Sequence, residues 1–248
     1  ELAQYFTYEM IKEQNEGKTD STPDPAMIDM FNAMVDEMFD YGRFILKNKR
    51  KNPSNDLLSA IANAKIEGEE LSDEFLDGSW LLIIFAGNDT TRNTMSGGIK
   101  LLHENQHQKE LLINNYDLLP GFINETVRCV SPVIHMRRTS LIETEIGGQK
   151  IGPHEKIALW YGAANRDPEI FDKPDEFNIQ RENAEKHLAF GIGRHTCLGK
   201  PIALMQLNEF YSQFLKRFPD FEMDGEWKVA PNNFVHAIQE MPIKFTKE

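Results

Sequence analysis

The sequence is poor in cysteine, in basic residues and in long apolar runs, and each shortage excludes a class of protein. Its 248 residues contain two cysteines, Cys129 and Cys197, too few for a disulfide-rich scaffold or a zinc site made of four thiolates. With 27 Lys and Arg against 39 Asp and Glu, the net charge of −12 argues against nucleic acid as a partner. The longest apolar run, 80–86, falls far short of the ~20 residues that span a bilayer, so no transmembrane segment is expected.

What is present predicts a mainly helical protein with small β-sheets. Apolar residues in positions 27–38 recur at three- and four-residue spacing, as they do on one face of a helix. A long helix is predicted from Ser72, a good N-cap, to about Leu102. Because its middle is apolar nearly all round, we expect this helix to run through the centre of the protein.

The second half of the chain is less regular. Helical signals continue to about Val130, with an interruption near Pro120 and Gly121. Short strands are predicted in three places: 133–138, 144–146 and 156–160. Residues 163–200 form a long irregular stretch, which in a compact domain is usually functional, and Pro201 suits the first turn of a final helix.

The strongest chemical signal is the string F-G-I-G-R-H-T-C-L-G at positions 190–199. A cysteine in a glycine-rich loop just before a helix can hold a thiolate, because N–H groups at a helix N-terminus stabilise negative charge. Glycine also allows backbone conformations closed to other residues and lets a flat ligand approach the backbone. The motif therefore indicates a metal-bound or reactive Cys197. The alternative is a buried structural cysteine.

Two weaker patterns lie upstream. The string A-G-N-D-T-T at 86–91 places poor helix formers in the middle of the predicted long helix. Glycine leaves a groove there and threonine can bend a helix, so the string indicates a site for a small molecule and a proton, or else a simple kink. Glu125 and Arg128 lie three residues apart on a predicted helix, where opposite charges are neighbours; alone, such a pair is most often a weak surface ion pair.

In this order, the three motifs resemble those of the cytochrome P-450 superfamily of haem-thiolate monooxygenases. The resemblance covers nearly the whole chain, and the cysteine loop matches the haem-binding signature at every defining position. It implies the C-terminal part of the cytochrome P-450 fold, with a long central helix, the cysteine loop and a final helix, and it implies haem b as the cofactor. Cys197 is then the expected iron ligand, with Phe190 beside it and Gly191 and Gly199 bordering the haem.

The resemblance also implies a distal side for the haem. Asp89 and Thr90 match the acid–alcohol pair of the superfamily, in which the hydroxyl holds dioxygen or a water and the acid helps relay protons. Ala86 and Gly87, one turn earlier, are implied to leave room for dioxygen above the iron.

Further roles follow from the same resemblance. Glu125 and Arg128 are implied to form a buried ion cluster with Arg181, which helps position the cysteine loop. Arg137 and His195 are placed like the groups that bind the haem propionates. Three apolar residues are implied to border an apolar substrate: Pro132, Val133 and Ile134.

A narrower likeness concerns the strings G-N-D-T-T-R-N-T-M-S-G-G, H-M-R-R-T and N-R-D-P, which begin at Gly87, His135 and Asn165. They are similar to bacterial alkane and fatty-acid hydroxylases, soluble cytoplasmic enzymes that take electrons from a ferredoxin and its reductase. We therefore expect a monooxygenase that inserts one oxygen atom of dioxygen into an unactivated C–H bond, at the terminal carbon of a medium-chain alkane or fatty acid. A sterol side-chain or terpene hydroxylase is the alternative, as is a haem-binding or inactive fragment.

The resemblance also bears on domain organisation. Members of the superfamily are considerably longer than this chain. Residues 1–248 are therefore expected to be the C-terminal part of a single haem-thiolate monooxygenase domain without its N-terminal part. Residues 1–16 are expected to belong to lid helices.

Overall fold

A computed structural model describes residues 25–232 and 234–246 of the chain. The chain divides into two compact units, residues 1–88 and 89–248. The predicted lid helices at residues 1–16 lie outside the described residues.

The described part of the first unit is helical with one short hairpin. Its elements are α1 (Pro25–Lys51), α2 (Leu57–Ala62), β1 (Lys65–Ile66), β2 (Glu69–Glu70) and the start of α3 (Asp73–Glu104). Trp80 is the largest member of the small buried core, in which it packs with Leu46, Leu71 and Leu76. Its indole N–H donates to the carbonyl of Met38 over 3.0 Å, so the buried ring has a partner for its polar atom.

The long helix forms close to its predicted bounds. The Ser72 hydroxyl accepts a hydrogen bond from the backbone N–H of Phe75 over 3.2 Å, as expected of an N-cap. The helix continues through the A-G-N-D-T-T string without a break and ends at Glu104, two residues beyond the predicted end. Poor helix propensity in one turn is therefore overridden by the residues on either side of it.

The expectation that the middle of α3 is buried is wrong. Leu82 is 67% exposed and Phe85 54% exposed, and residues 84–88 all lie at the surface. Leu76 and Trp80 are buried earlier in the helix, and burial resumes after this segment at Thr91, Asn93 and Thr94. An all-round apolar pattern identifies side chains that water disfavours, but it does not tell which surface covers them.

The described part of the second unit has a helical core. Its helices are the rest of α3, α4 (Gln106–Asn114), α5 (Leu119–Val130), α6 (Tyr161–Ala164) and α7 (Lys200–Arg217). Phe122 of α5 and Tyr211 of α7 are fully buried, with ring centroids 4.7 Å apart in an edge-to-face arrangement. The predicted interruption near Pro120 falls earlier, in a 3₁₀ turn at Tyr116–Leu118, because proline is well tolerated in the first turn of α5.

The strands are short and pair two by two. In the second unit they are β3 (His135–Thr139), β4 (Thr144–Ile146), β5 (Gln149–Ile151), β6 (Lys156–Trp160), β7 (Glu222–Met223), β8 (Lys228–Ala230), β9 (Ala237–Glu240) and β10 (Ile243–Lys244). Within the described residues, the antiparallel pairs are β1–β2, β3–β6, β4–β5, β7–β10 and β8–β9. Gly147 and Gly148, with φ of +57° and +80°, make the turn between β4 and β5. No helix in the described ranges is both long and apolar enough to cross a membrane.

A glycine sets how closely α3 approaches α7. A Cβ atom built on Gly98 would lie 2.8 Å from Cζ of Tyr211 and 2.9 Å from Cγ2 of Thr126. The tyrosine cannot easily retreat, because its hydroxyl donates to the carbonyl of Thr94 over 2.9 Å. Close packing of these helices therefore requires glycine at this position.

We predict that Gly98→Ala destabilises the protein by about 1–3 kcal/mol, the usual cost of overpacking a close-packed core. The matched control is Gly78→Ala in the same helix, where an added Cβ meets nothing within 4 Å. There the better helix propensity of alanine should add up to ~1 kcal/mol of stability. Urea unfolding of both variants tests the prediction, and equal midpoints for Gly98→Ala and the unchanged protein would contradict it.

Candidate haem-thiolate site

The second unit contains a buried ion cluster at the predicted place. The side chains of Glu125 and Arg128, one turn apart on α5, are both 0% exposed. Arg128 donates from Nε and Nη2 to the two carboxylate oxygens of Glu125, each over 2.8 Å. Arg181 donates from Nε to the same two oxygens over 3.1 Å. The structure thus brings these three residues together as predicted and excludes the weak surface pair for Glu125 and Arg128.

The remaining guanidinium donors of this cluster bind backbone carbonyls of the irregular stretch. Arg128 donates from Nη1 to the carbonyls of Asn165 and Pro174 over 2.7 and 2.8 Å. Arg181 donates to the carbonyls of Asp172 and Glu176 over 2.5 and 2.9 Å. Burial lowers the pKa of Arg128, but its hydrogen bonds to Glu125 and the electrostatic effect of its neighbours, Glu125 and Asp175 among them, together outweigh this and the net pKa is raised. The hydrogen bonds of Arg128 and Arg181 to these carbonyls tie the irregular stretch to α5.

The cysteine loop has a backbone conformation that favours glycine at two positions. Gly191 and Gly193 have φ of +69° and +70°, in the left-handed region. A Cβ on Gly191 would also lie 3.1 Å from the carbonyl oxygen of His195, tighter than most real contacts. The loop is closed by a hydrogen bond from the Cys197 N–H to the carbonyl of Phe190 over 2.8 Å.

This loop presents the thiol of Cys197 outward. Cys197 is exposed and lies three residues before the start of α7. A Cβ on Gly199 would lie 3.8 Å from its Sγ, so the neighbouring backbone is close to the sulfur without a side chain between. Two apolar neighbours are also outward: Ile192 and Leu198, each 75% exposed. The buried structural cysteine that the sequence left open is thus not what the structure shows.

Phe190 is half-buried at the base of the same loop. Its ring lies 5.5 Å from that of His187, and Nζ of Lys200 lies 5.4 Å from its centroid. The ring therefore contacts one residue before the cysteine loop and one after it in the sequence.

The predicted acid–alcohol pair lies where α3 enters the second unit. Asp89 and Thr90 are half-buried, and Asp89 accepts a hydrogen bond from Nη2 of Arg92 over 2.9 Å. One turn later the hydroxyl of Thr94 donates to the carbonyl of Thr90 over 2.7 Å, and Nδ2 of Asn93 donates to the carbonyl of Asp89 over 2.8 Å. These side chains hold the backbone of the pair from the next turn of the helix.

Ala86 and Gly87 belong to the exposed segment of α3 in the first unit. A Cβ on Gly87 would meet nothing within 4 Å, so its environment is open. At these two positions the helix therefore carries no large side chain.

The residues expected at the haem propionates and at the substrate lie on or beside β3 and the cysteine loop. Arg137 on β3 and His195 in the loop are both exposed cationic or titratable side chains. Pro132 is buried, whereas Val133 and Ile134 are half-buried. These three residues pair with the tail of the chain, since the N–H of Ile134 donates to the carbonyl of Phe234 over 2.8 Å. That pairing shifts the start of β3 from the predicted residue 133 to His135.

Sequence reasoning missed the role of Asn165, which the structure buries completely. Its Oδ1 accepts from the N–H of Leu188 over 2.6 Å and its Nδ2 donates to Oγ of Ser131 over 2.8 Å. In the sequence, the string N-R-D-P indicates only a similarity to bacterial alkane and fatty-acid hydroxylases, and it gives Asn165 no role of its own. The available signal was a single amide side chain at the start of a long irregular stretch, which is a common position for residues that bond backbone groups.

His187 is a second buried polar residue of this region. It is 6% exposed; its Nδ1 accepts from the N–H of Ala189 over 3.2 Å, and its Nε2 has no hydrogen-bond partner among the described residues. Burial lowers its pKa to about 4, helped by the positive charges of Lys200 and Arg128 and opposed by Glu125. It is therefore neutral at pH 7.

We predict that this histidine makes the protein acid-sensitive. The unfolded chain binds the proton near pH 6.5 and the folded chain only near pH 4, so stability is complete above pH 6.5 and falls between these values. The expected loss is about 3 kcal/mol by pH 4, of which about 2 kcal/mol should appear between pH 7 and pH 5. His187→Asn keeps an acceptor for Ala189 but does not titrate, so it should flatten this part of the stability curve. Urea unfolding at pH 7 and pH 5 measures it, with exposed His107→Asn as the control; an unchanged slope in His187→Asn would contradict the prediction.

Comparisons with known proteins identify the family and the fold. The sequence model of the family Cytochrome P450, whose members hold haem through a cysteine thiolate, matches residues 21–245. The chain is 38% identical over 210 residues to a steroid C26-monooxygenase of Mycobacterium tuberculosis (strain CDC 1551 / Oshkosh), covering 84% of this chain and 56% of the relative. It is 33% identical over 210 residues to linalool 8-monooxygenase of Pseudomonas putida, covering 85% of this chain and 52% of that relative.

A solved structure shows the same fold. P450BioI, in complex with an acyl carrier protein ligated to hexadec-9Z-enoic acid, superposes with a TM-score of 0.81 at 29% identity, covering 91% of this chain and 58% of that one. The chain spans about half the length of the curated relatives it matches. The mainly helical fold, the cysteine loop and the match over residues 21–245 lead to one conclusion: the chain belongs to the cytochrome P450 family.

Proposed function

We propose that this chain forms the haem-binding part of a cytochrome P450 monooxygenase, with Cys197 as the iron ligand. The observation that carries the proposal is the exposed thiol, held out by a glycine-dependent loop that is closed through its own N–H to Phe190. When bound through a thiolate, haem supplies the activation of dioxygen and the insertion of one oxygen atom into a C–H bond. Every other task falls to the side chains of the protein.

The residues of the loop fit a haem group. A soft thiolate suits iron, and a flat macrocycle needs a surface without large side chains beside the sulfur. Gly191 and Gly199 meet that need, while Ile192 and Leu198 offer exposed apolar contact. We assign the propionate contacts to the exposed side chains of Arg137 and His195, which are of the right chemical type for carboxylates.

Asp89 and Thr90 are proposed to supply protons on the distal side of the haem. The Thr90 hydroxyl would hold dioxygen or a water by hydrogen bonding, and the Asp89 carboxylate would pass protons toward it. The contact from Arg92 holds that carboxylate at a fixed place on α3. Ala86 and Gly87 would leave room for dioxygen, and Pro132, Val133 and Ile134 would border the substrate.

The first candidate for the substrate is the terminal carbon of a medium-chain alkane or fatty acid. It is supported by the strings that begin at Gly87, His135 and Asn165, and by the fatty acyl group carried by the acyl carrier protein in the complex of the structurally similar P450BioI. The second candidate is a steroid side chain or a terpene. It is supported by relatives whose names specify a steroid and linalool, at 38% and 33% identity. To distinguish the two candidates, a saturated fatty acid and a steroid compete for the same site, and the change in the haem spectrum shows which of them binds.

Electrons are proposed to come from a ferredoxin and its reductase. Arg194 is exposed in the cysteine loop and Lys200 begins α7 beside it, so positive charge flanks Cys197. An acidic carrier would be attracted to such a site, and charge of this kind raises the rate of association more than the affinity.

We predict that the reduced, carbon monoxide-bound chain shows the strongly red-shifted Soret band of a thiolate ligand. Cys197→Ser should abolish this band, because an alcohol does not replace a thiolate on iron. Cys129→Ser is the control and should keep it, since that thiol is largely buried and its pKa is raised to about 11. The same three proteins should also be joined to the N-terminal half of the Mycobacterium tuberculosis relative.

The two arms give distinct answers. A band in the chain itself supports the proposal outright, and a band only in the joined protein shows that the upstream half of a relative is needed for haem to bind. No band in either arm, or a band that survives Cys197→Ser, would refute the assignment of Cys197.

We predict that Thr90→Ala keeps the haem spectrum but diverts reducing equivalents to peroxide. Loss of a positioned proton donor should lower product formed per electron by about a hundredfold, the low end for general acid catalysis. The adjacent Thr91→Ala is the matched control and should keep its coupling. The ratio of peroxide to hydroxylated product measures the effect, and unchanged coupling in Thr90→Ala would argue against its role.

A further inference from the structure

We infer that Asn165 is a positioning residue that holds the cysteine loop in register with the buried ion cluster of Glu125, Arg128 and Arg181. The effect of Asn165 on haem ligation rests on the proposed function, but the hydrogen-bonded connection between Asn165 and the cysteine loop does not. The juxtaposition that carries the inference is one fully buried amide that bonds both to the end of α5 and to the segment leading into the loop.

On the side of the ion cluster, Asn165 has two attachments. Its own carbonyl accepts from Nη1 of Arg128 over 2.7 Å, and its Nδ2 donates to Oγ of Ser131 over 2.8 Å. The Ser131 hydroxyl donates in turn to the carbonyl of Arg128 over 2.8 Å. Both the backbone and the side chain of Asn165 are thereby fixed to the C-terminal end of α5.

On the side of the loop, the attachment runs through Leu188. The N–H of Leu188 donates to Oδ1 of Asn165 over 2.6 Å, and its carbonyl accepts from the N–H of Gly191 over 2.8 Å. That turn contains Phe190, whose carbonyl accepts from the N–H of Cys197 over 2.8 Å. Three consecutive hydrogen-bonded links therefore join the asparagine amide to the backbone of Cys197.

The chemistry of these partners requires a neutral amide. Leu188 presents a donor, whereas the Ser131 hydroxyl uses its hydrogen on Arg128 and presents a lone pair. One side chain must therefore accept at one end and donate at the other, as asparagine does. A substitution that removes both groups leaves the partly buried N–H of Leu188 without its partner, and an unsatisfied donor costs more than the bond itself contributes.

A general stabilising role would look different from a positioning role, and the chain offers a matched residue to tell them apart. Asn93 is 1% exposed and its amide also bonds two backbone groups. Its Nδ2 donates to the carbonyl of Asp89 and its Oδ1 accepts from the N–H of Ile238, each over 2.8 Å. It joins α3 to β9, with no bond to the segment that leads into the cysteine loop.

The experiment is amide hydrogen exchange of the haem-free chain, followed residue by residue by NMR in Asn165→Ala and Asn93→Ala. In Asn165→Ala, exchange at Leu188, Gly191 and Cys197 should accelerate by about tenfold, equivalent to ~1.4 kcal/mol, beyond the change in global stability. In Asn93→Ala the excess should appear at Ile238 and be absent from Cys197. No excess at Cys197 in the first variant, or an equal excess in the second, would overturn the inference.

A second variant decides the matter if Asn165→Ala does not fold. Ser131→Ala removes the anchor of the Asn165 amide but leaves the bond from Leu188 in place, so Cys197 exchange should still accelerate several-fold relative to global stability. Unchanged exchange in Ser131→Ala would overturn the inference.

The haem-bound state gives an independent readout. If the unchanged protein shows the thiolate Soret band, Asn165→Ala should lose a larger fraction of it than Asn93→Ala. If the unchanged protein shows no such band, the proposed function fails, while the exchange data still establish or refute the link from Asn165 to Cys197.

Discussion

The buried guanidinium of Arg128 is the group on which the arrangement of the second unit depends. A charge with no exposed surface is tolerated only when its donors are satisfied, and one carboxylate cannot satisfy them all. Glu125 takes two of the donors, and the carbonyls of Asn165 and Pro174 take Nη1. Those carbonyls belong to a stretch with little regular secondary structure. The guanidinium on α5 therefore supplies hydrogen-bond donors that a helix or a β-sheet would otherwise supply to the backbone.

These hydrogen bonds from a buried guanidinium explain how an irregular segment can hold the cysteine loop in place. The cysteine loop itself is built from backbone bonds and two left-handed glycines, and it exposes most of its side chains. The loop is held by α7, which follows it, and by the segment that precedes it, where the N–H of Leu188 donates to Oδ1 of Asn165. The inferred role of Asn165 is thus to position Cys197 from about 30 residues upstream.

The comparison of sequence with structure has a physical pattern. Local signals succeeded: Ser72 caps α3, and Pro201 lies in the first turn of α7. Arg181 required the resemblance, because nothing near it in sequence indicates a partner 56 residues away. The exposure of Phe85 and the connections of Asn165 could not be predicted, since both depend on which distant surface or backbone group meets the side chain.

The two thiols of the chain lie in different environments, and the environment decides which of them can bind a metal. Cys129 lies beside the ion cluster, where burial and the charge of Glu125 raise its pKa to about 11 against the opposing effect of three arginines. It is a neutral thiol at any physiological pH and accepts a hydrogen bond from Nη2 of Arg128 over 3.2 Å. Cys197 lies exposed in the loop ahead of α7, with Arg194 before it and Lys200 after it in the sequence. A thiol can bind a metal only where the metal can reach it, and of the two thiols only Cys197 is exposed.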